Sequence, residues 1–223
     1  MKNTLSFSVK RFALSILLSV CTSISFGQLY FGGGVNLLKG FTVKSPYLGF
    51  TVMGEKIDDT QSIYANLSIS LNKNEQDQLF PMTSSTNLSD TAILGNLTYR
   101  YNTLELGRRN YFAADLEYGL GFYLAEHITI SYNTVGINLS NYNTSLYHLP
   151  STIPSKGNIL GFAIGGNAGI QYAFFRGVLY GDAGFNYSLV GLPNNVTAQN
   201  TTSFSQINFT CIVGFKKALN FHY

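Results

Sequence analysis

The feature that most constrains this chain is a two-residue alternation of apolar with small or polar side chains. In "QINFTCIVGF" (206–215), one series is apolar and the other is mostly polar or small. Successive side chains of a β-strand point to opposite sides, so this pattern predicts a strand whose faces meet different surroundings. The pattern occurs eight times, at 29–37, 48–53, 63–71, 92–101, 111–124, 160–174, 179–189 and 206–215. It predicts an all-β protein, an eight-stranded antiparallel up-and-down barrel.

The first 27 residues predict a cleaved secretory signal peptide, which leaves 28–223 as the barrel domain. A basic start precedes the short apolar run "FALSILLSV", and Ser25 and Gly27 fit a small-x-small cleavage site. The alternative is a lipoprotein signal with Cys21 as the lipidated residue, but Val20 stands where a small residue is expected. Three of the 14 basic residues and none of the 11 acidic ones lie in this segment. The mature chain is therefore near neutral, and we expect no nucleic-acid partner.

Composition and connection lengths decide which face of the barrel is apolar. Charged residues make up 11% of the chain, against about 25% in ordinary soluble proteins. The polar series is rich in Gly, Ala, Ser and Asn, as the interior of a narrow barrel requires. Short connections at 54–61, 102–110 and 175–177 alternate with long ones, which is typical of outer-membrane barrels. The sequence thus predicts a transmembrane barrel with its apolar series toward lipid.

Aromatic residues of the apolar series fall near the short connections and predict an interfacial belt. The alternative is ordinary strand composition, because Tyr and Phe favour strands. The belt would consist of Phe31, Tyr99, Tyr101, Phe112, Tyr172 and Phe174.

Four charged residues are assigned to the polar series: Arg100, Asp115, Glu117 and Asp182. Each would be costly against lipid, so we expect an ionic cluster in the lumen. The structural interpretation is a salt-bridged plug, which an eight-stranded barrel favours because its interior is just wide enough for side chains. The functional alternative is a selectivity element in a narrow, porin-like pore for small solutes.

Catalytic and cofactor signals are weak. The three histidines and the single mature cysteine lack metal-ligand spacing, so we expect no metal and no cofactor. A lipid-modifying enzyme could be drawn with His127 and Ser131 at one rim, but no acidic residue is placed to orient the histidine. Cys211 belongs to an apolar series and is interpreted as a small lipid-facing side chain. The Tyr- and Asn-rich long loops suit contact with an extracellular protein or glycan, or are simply solvated.

The signal, the eight strands, the turn style of "YRYNTLELGRRNYFAADLEYGLGFYL" (99–124) and the terminal aromatic residue together resemble the small bacterial outer-membrane β-barrel superfamily. The nearest group is the PorT-like outer-membrane proteins. This resemblance implies a location in the outer membrane, contact with its lipid, and insertion by the barrel-assembly machinery, which reads the last strand. The assembly signal would comprise Phe215, Leu219, Phe221 and Tyr223. Some members assist secretion, so we expect a non-enzymatic membrane component that is structural, secretion-associated or active through its long loops.

Overall fold

The computed structural model describes residues 28–40, 46–84, 91–112, 118–139, 147–148, 156–175, 177–194 and 206–219. The signal segment, Phe221 and Tyr223 lie outside these residues. The strands are β1 (Gln28–Gly40), β2 (Tyr47–Asp58), β3 (Gln61–Ser70), β4 (Lys73–Ser84), β5 (Thr91–Phe112), β6 (Gly119–Leu139), β7 (Tyr147–His148), β8 (Lys156–Phe174), β9 (Gly177–Asn194) and β10 (Ile207–Ala218). Among the described residues, no helix is long and apolar enough to cross a membrane.

Eight of the strands close into an antiparallel barrel in the order β1, β2, β3, β5, β6, β8, β9, β10 and back to β1. The other two lie beyond the closed wall: β4 pairs with the first half of β5, and the short β7 pairs with β4. The predicted eight-stranded up-and-down barrel is confirmed. At one end of the barrel, which we call the short-turn rim, the connections between consecutive wall strands span two to six residues (59–60, 113–118 and 175–176). At the other end, the long-loop rim, three of the four connections are longer.

Tracing cross-strand partners around the wall gives the stagger of the barrel. Starting from Gly40, the row passes through Asn208, His127 and Glu55 and returns to β1 at Tyr30, ten residues lower (40 − 30). For eight strands this stagger fixes a strong strand tilt and a narrow interior that side chains can fill. Inward positions are consequently buried and outward positions exposed, with strict alternation in β3.

The fourth and fifth strands were predicted with wrong boundaries. The predicted connection at 102–110 is the second half of β5, which runs unbroken for 22 residues. β5 ends at Phe112 and β6 begins at Gly119, so the alternation at 111–124 belongs to two strands. The prediction failed because "NTLELGRRN" is polar overall, although Leu104 and Leu106 alternate with Thr103 and Glu105 within it.

At the long-loop rim, the upper half of β5 reverses the usual arrangement of this barrel. On β5, Leu97, Tyr99 and Tyr101 are buried, whereas Asn96 and Arg100 on the opposite face are exposed. The inward residues join a cluster with Leu38, Tyr47 and Val135. Apolar-in and polar-out is the pattern of a barrel wall in water, so this end of β5 and β4 is built for an aqueous environment.

Candidate functional site: the charged lumen

Glu55 of β2 accepts four side-chain hydrogen bonds in the lumen. Its Oε2 accepts from Arg109 Nη1 at 3.1 Å and from Lys216 Nζ at 2.6 Å. Its Oε1 accepts from the hydroxyls of Ser62 and Tyr111, each at 2.5 Å. One carboxylate thus holds β3, β5 and β10 to β2 through charge-assisted bonds, the stronger class of hydrogen bond.

Arg109 extends this cluster across the lumen. Its Nη2 donates to Asp182 Oδ2 of β9 at 3.0 Å, and the hydroxyl of Tyr123 donates to the same oxygen at 3.0 Å. The guanidinium carbon lies 4.4 Å from the ring centroid of Tyr64 and 4.6 Å from that of Tyr123, so cation–π contacts add to the ion pairs. We call Glu55, Arg109, Asp182 and Lys216 the lumen cluster.

The lumen cluster is fully enclosed. Its four side chains are 0–1% exposed. Toward the short-turn rim it is covered by an apolar cluster formed by Tyr30, Ile57, Tyr111, Tyr123, Ala173 and Val178. Two cations against two carboxylates make the cluster itself neutral, which is what a buried ionic group requires.

A second hydrogen-bonded layer lies above the cluster. His127 contacts the Tyr64 hydroxyl through Nδ1 at 3.1 Å and Asn186 Oδ1 through Nε2 at 2.7 Å. Glu105 accepts from Asn66 Nδ2 at 3.3 Å. His127 and Ser131 share the inward face of β6, and both are buried. Both ring nitrogens of His127 contact other residues, so the structure does not bring the two together as a catalytic pair at a rim.

Of the two predicted ionic-cluster residues in the described part of the chain, Asp182 is in the lumen cluster. Arg100 is a correction: it lies on the outside of β5, where its Nε donates to Asn72 Oδ1. The alternation in the upper half of β5 predicted the wrong outward face, because the inward residues there are the apolar ones. Asp115 and Glu117 lie outside the described residues.

The sequence pattern did not predict Glu55, Arg109 or Lys216 as members of the lumen cluster. Glu55 and Arg109 fall in predicted connections, and Lys216 follows the predicted last strand, which ends at residue 215. A usable signal was strand length. The predicted second strand, 48–53, is shorter than the roughly 9–11 residues that a membrane strand needs. Extending its inward series past Met53 would have placed Glu55 in the lumen.

The predicted aromatic belt divides into two groups. Phe31, Phe112 and Tyr172 are outward and 52–56% exposed near the short-turn rim. Phe174 is half-buried and stacks on Tyr172 at 6.5 Å between ring centroids. Tyr99 and Tyr101 are a correction: they are inward at the other end of the barrel, for the same reason that Arg100 is outward.

The last strand matches the predicted phase over its described part. Phe215 and Leu219 are outward, and Cys211 lies exposed on the same face. Whether these residues guide assembly stays a prediction.

Comparison with known proteins rests on structure. No protein-family model matches the chain, and no curated protein matches it. Neisserial surface protein A is similar with a TM-score of 0.50 and 11% identity, over 86% of this chain and 97% of that one. The two proteins share the fold of a small antiparallel β-barrel.

Two further structures cover the same share of this chain. A major outer membrane protein from Thermus thermophilus gives a TM-score of 0.47 at 10% identity over 99% of its length. Ail, the attachment invasion locus protein of Yersinia pestis, gives 0.45 at 10% identity over 99% of its length. Identities this low concern the fold alone.

Proposed function

We propose that this chain is a non-enzymatic, non-conducting integral protein of the bacterial outer membrane that acts through its long-loop rim. The outward face supports the membrane location. Phe50, Ile63, Val213 and Phe185 are 54–71% exposed and come from four different strands. Large apolar side chains exposed all around a wall need an apolar surrounding.

The proposal that the barrel does not conduct solutes is supported by the enclosed lumen cluster. A solute would have to displace Arg109 from Glu55, Asp182 and two aromatic rings. It would also meet the apolar clusters at both ends of the lumen. Separating a buried ion pair leaves an uncompensated charge, at a cost of about 3–5 kcal/mol. These contacts favour a plug over the alternative of a narrow pore.

The face of β4 and β5 beyond the wall supports a role in contact. Asn74 Oδ1 accepts from the Thr98 hydroxyl at 2.9 Å, and Arg100 donates to Asn72. Asn72, Asn74, Gln76 and Asn96 are exposed on this outward surface. Amide side chains offer both donors and acceptors, so the surface suits an extracellular protein or a glycan. Secretion through a PorT-like role stays a prediction, as does insertion by the barrel-assembly machinery.

The non-enzymatic part rests on His127. Its ring is buried in the lumen and both nitrogens are engaged by Tyr64 and Asn186. A general base must reach the proton that it abstracts, and a lipid substrate outside the wall cannot reach this ring.

Planar-bilayer recording tests the plug. We expect the purified protein to give no reproducible openings under a voltage that opens a known porin in the same bilayer. Successful insertion is checked by protease digestion of the loops from the added side. Reproducible unitary openings from inserted protein would contradict the proposal and favour the narrow pore.

A further inference from the structure

The outer wall carries a groove where the apolar band ends at the short-turn rim. It has a volume of about 270 Å³ and is lined by Lys56, Asp58, Gln61, Ser62, Ile63 and Arg108. The side chain of Ile63 is 71% exposed. It is the cross-strand partner of Lys56 on one side and of Arg108 on the other. Two basic side chains therefore flank one exposed apolar residue, with their Cα atoms roughly 10 Å apart, or two strand spacings.

The charges in the groove are ordered along the barrel. Outward residues of β2 change from Phe50 and Val52 through Gly54 to Lys56 and then Asp58, next to the turn. An approaching molecule thus meets apolar surface first, basic groups next and a carboxylate nearest the water. A zwitterionic phospholipid presents the same order: acyl chains, phosphate, ammonium.

A shallow furrow continues from the groove into the apolar band. Gly54 and Ala65 are cross-strand partners, with Phe31 beyond Gly54 and Leu106 beyond Ala65. A Cβ placed on Gly54 would meet no protein atom within 4 Å. Two small residues between two large outward ones leave room for a hydrocarbon chain directly above the basic pair.

Arg108 keeps its charge available to a ligand. Its Nη2 donates to the neutral Asn110 Oδ1 at 3.2 Å. Within the described part of the chain it forms no ion pair, even with Glu126, its cross-strand partner on β6. An arginine at the membrane boundary with only an amide partner suits a phosphate, which it can bind through two parallel bonds.

We propose that this groove binds one phospholipid of the leaflet at the short-turn rim, with a preference for phosphatidylethanolamine. Lys56 and Arg108 hold its phosphate, Asp58 its ammonium, and the furrow over Gly54 and Ala65 one acyl chain. The proposal goes beyond the role of the long-loop rim and rests only on the membrane location.

Native mass spectrometry of the detergent-purified protein tests the headgroup site. Phosphatidylethanolamine, phosphatidylglycerol and phosphatidylcholine are added in equal amounts. We expect one retained phosphatidylethanolamine, and a loss of roughly tenfold in its occupancy in the double variant K56Q/R108Q. The matched control is Lys39→Gln, an exposed lysine at the far end of β1. Equal occupancy in the double variant and the control would overturn the proposal.

Two further pairs of variants separate the parts of the site. Asp58→Asn should abolish the preference for phosphatidylethanolamine over phosphatidylglycerol, while Glu126→Gln, outside the groove, should keep it. Gly54→Leu places a side chain in the furrow, starting from a Cβ with no protein atom within 4 Å, and should lower lipid occupancy. Gly181→Leu is its control on β9, where a Cβ meets only ordinary contacts at 3.7 Å. A wild-type protein that prefers phosphatidylglycerol would contradict the assignment. So would a wild-type protein that forms a dimer and retains no lipid, if K56Q/R108Q loses that dimer.

The lipid proposal and the plug proposal can fail independently, because lipid occupancy is measured by mass spectrometry and the plug is tested by conductance. Each variant is first checked for the compact form on an unheated gel. If K56Q/R108Q does not fold, the Gly54→Leu and Gly181→Leu pair still decides: equal lipid occupancy in these two overturns the proposal.

Discussion

At the scale of single residues, the barrel depends on one carboxylate. Glu55 accepts four hydrogen bonds, and two of the donors are cations with 0–1% exposure. The net value of a buried ion pair is small, because desolvation opposes the attraction. The loss of one partner is different, since it leaves the other charge buried without compensation. Glu55 therefore stabilises the barrel mainly by neutralising the buried charges of Arg109 and Lys216, and less by the net attraction within its ion pairs.

Glu55→Gln tests this argument. The change keeps the size of the side chain but removes the charge that neutralises Arg109 and Lys216. We expect a loss of about 3–5 kcal/mol in the free energy of unfolding, measured by urea titration of the protein in detergent. The control is Glu75→Gln, because Glu75 pairs with Lys73 at 2.8 Å in a partly exposed site and should cost less than about 1 kcal/mol. Equal losses in the two variants would show that the lumen cluster tolerates unbalanced charge.

At the scale of elements, β5 marks one boundary of the apolar band on the outside of the barrel. Its lower outward residues begin with the apolar Leu104 and Leu106 and continue through Arg108 and Asn110 to Phe112 at the short-turn rim, whereas its upper ones are Asn96, Thr98 and Arg100. The inward series changes in the opposite sense, from Glu105 and Arg109 to Tyr99 and Leu97. We infer that the strand leaves the apolar band near Asn102, and that its upper half stands in water with β4 as its partner.

Tryptophan scanning along β5 tests that crossing. The chain contains no tryptophan, so each single substitution reports alone. In liposomes, we expect Leu106→Trp to be quenched by brominated acyl chains and Thr98→Trp by aqueous iodide. Tyr101→Trp, at a site 7% exposed, should be quenched by neither. Quenching of Thr98→Trp by brominated lipid would place the upper half of β5 inside the membrane and contradict this account.

The same strand shows how far the sequence could predict the fold. Alternation predicted eight wall strands and the outward face of seven of them, because in those strands the outward positions are apolar and the inward ones small or polar along most of the length. In β5 the surroundings change midway along the strand. The apolar residues Leu97, Tyr99 and Tyr101 therefore predicted an outward face that is in fact the inward one. Periodicity reports a difference between two faces and not which face is inside.

The lumen cluster was only partly predictable for a related reason. Asp182 lies in the middle of a long, clear alternation, and its inward position followed directly. Arg109 and Glu55 lie near strand ends, where polar residues resemble turns. Their partners come from strands far apart in the chain, and Glu55 and Lys216 are separated by 161 positions. Only the closed ring of strands brings them within bonding distance.

At the scale of the whole molecule, the first and last strands, β1 and β10, pair and close the ring. Eleven partner pairs, from Tyr30 with Ala218 to Gly40 with Asn208, form this seam. An unclosed edge in hydrocarbon would leave backbone groups without partners, at several kcal/mol each. Lys216 of β10 also reaches Glu55 at 2.6 Å, directly across β1. The seam and the lumen cluster should therefore form together.

Gly34 lies in this seam and gives a test of closure. A Cβ at Gly34 would lie 2.3 Å from the Val213 carbonyl oxygen and 2.7 Å from the Gly214 Cα, both backbone atoms of β10. Gly34→Val should thus force β1 from β10 and abolish the compact, fast-migrating form on an unheated gel. Gly181→Val makes the same change on β9, where a Cβ meets its nearest protein atom at 3.7 Å, and should migrate like the wild type. A compact Gly34→Val protein would show that the barrel closes without close contact at this seam, whereas loss of compaction in both variants would reflect valine itself and not the position.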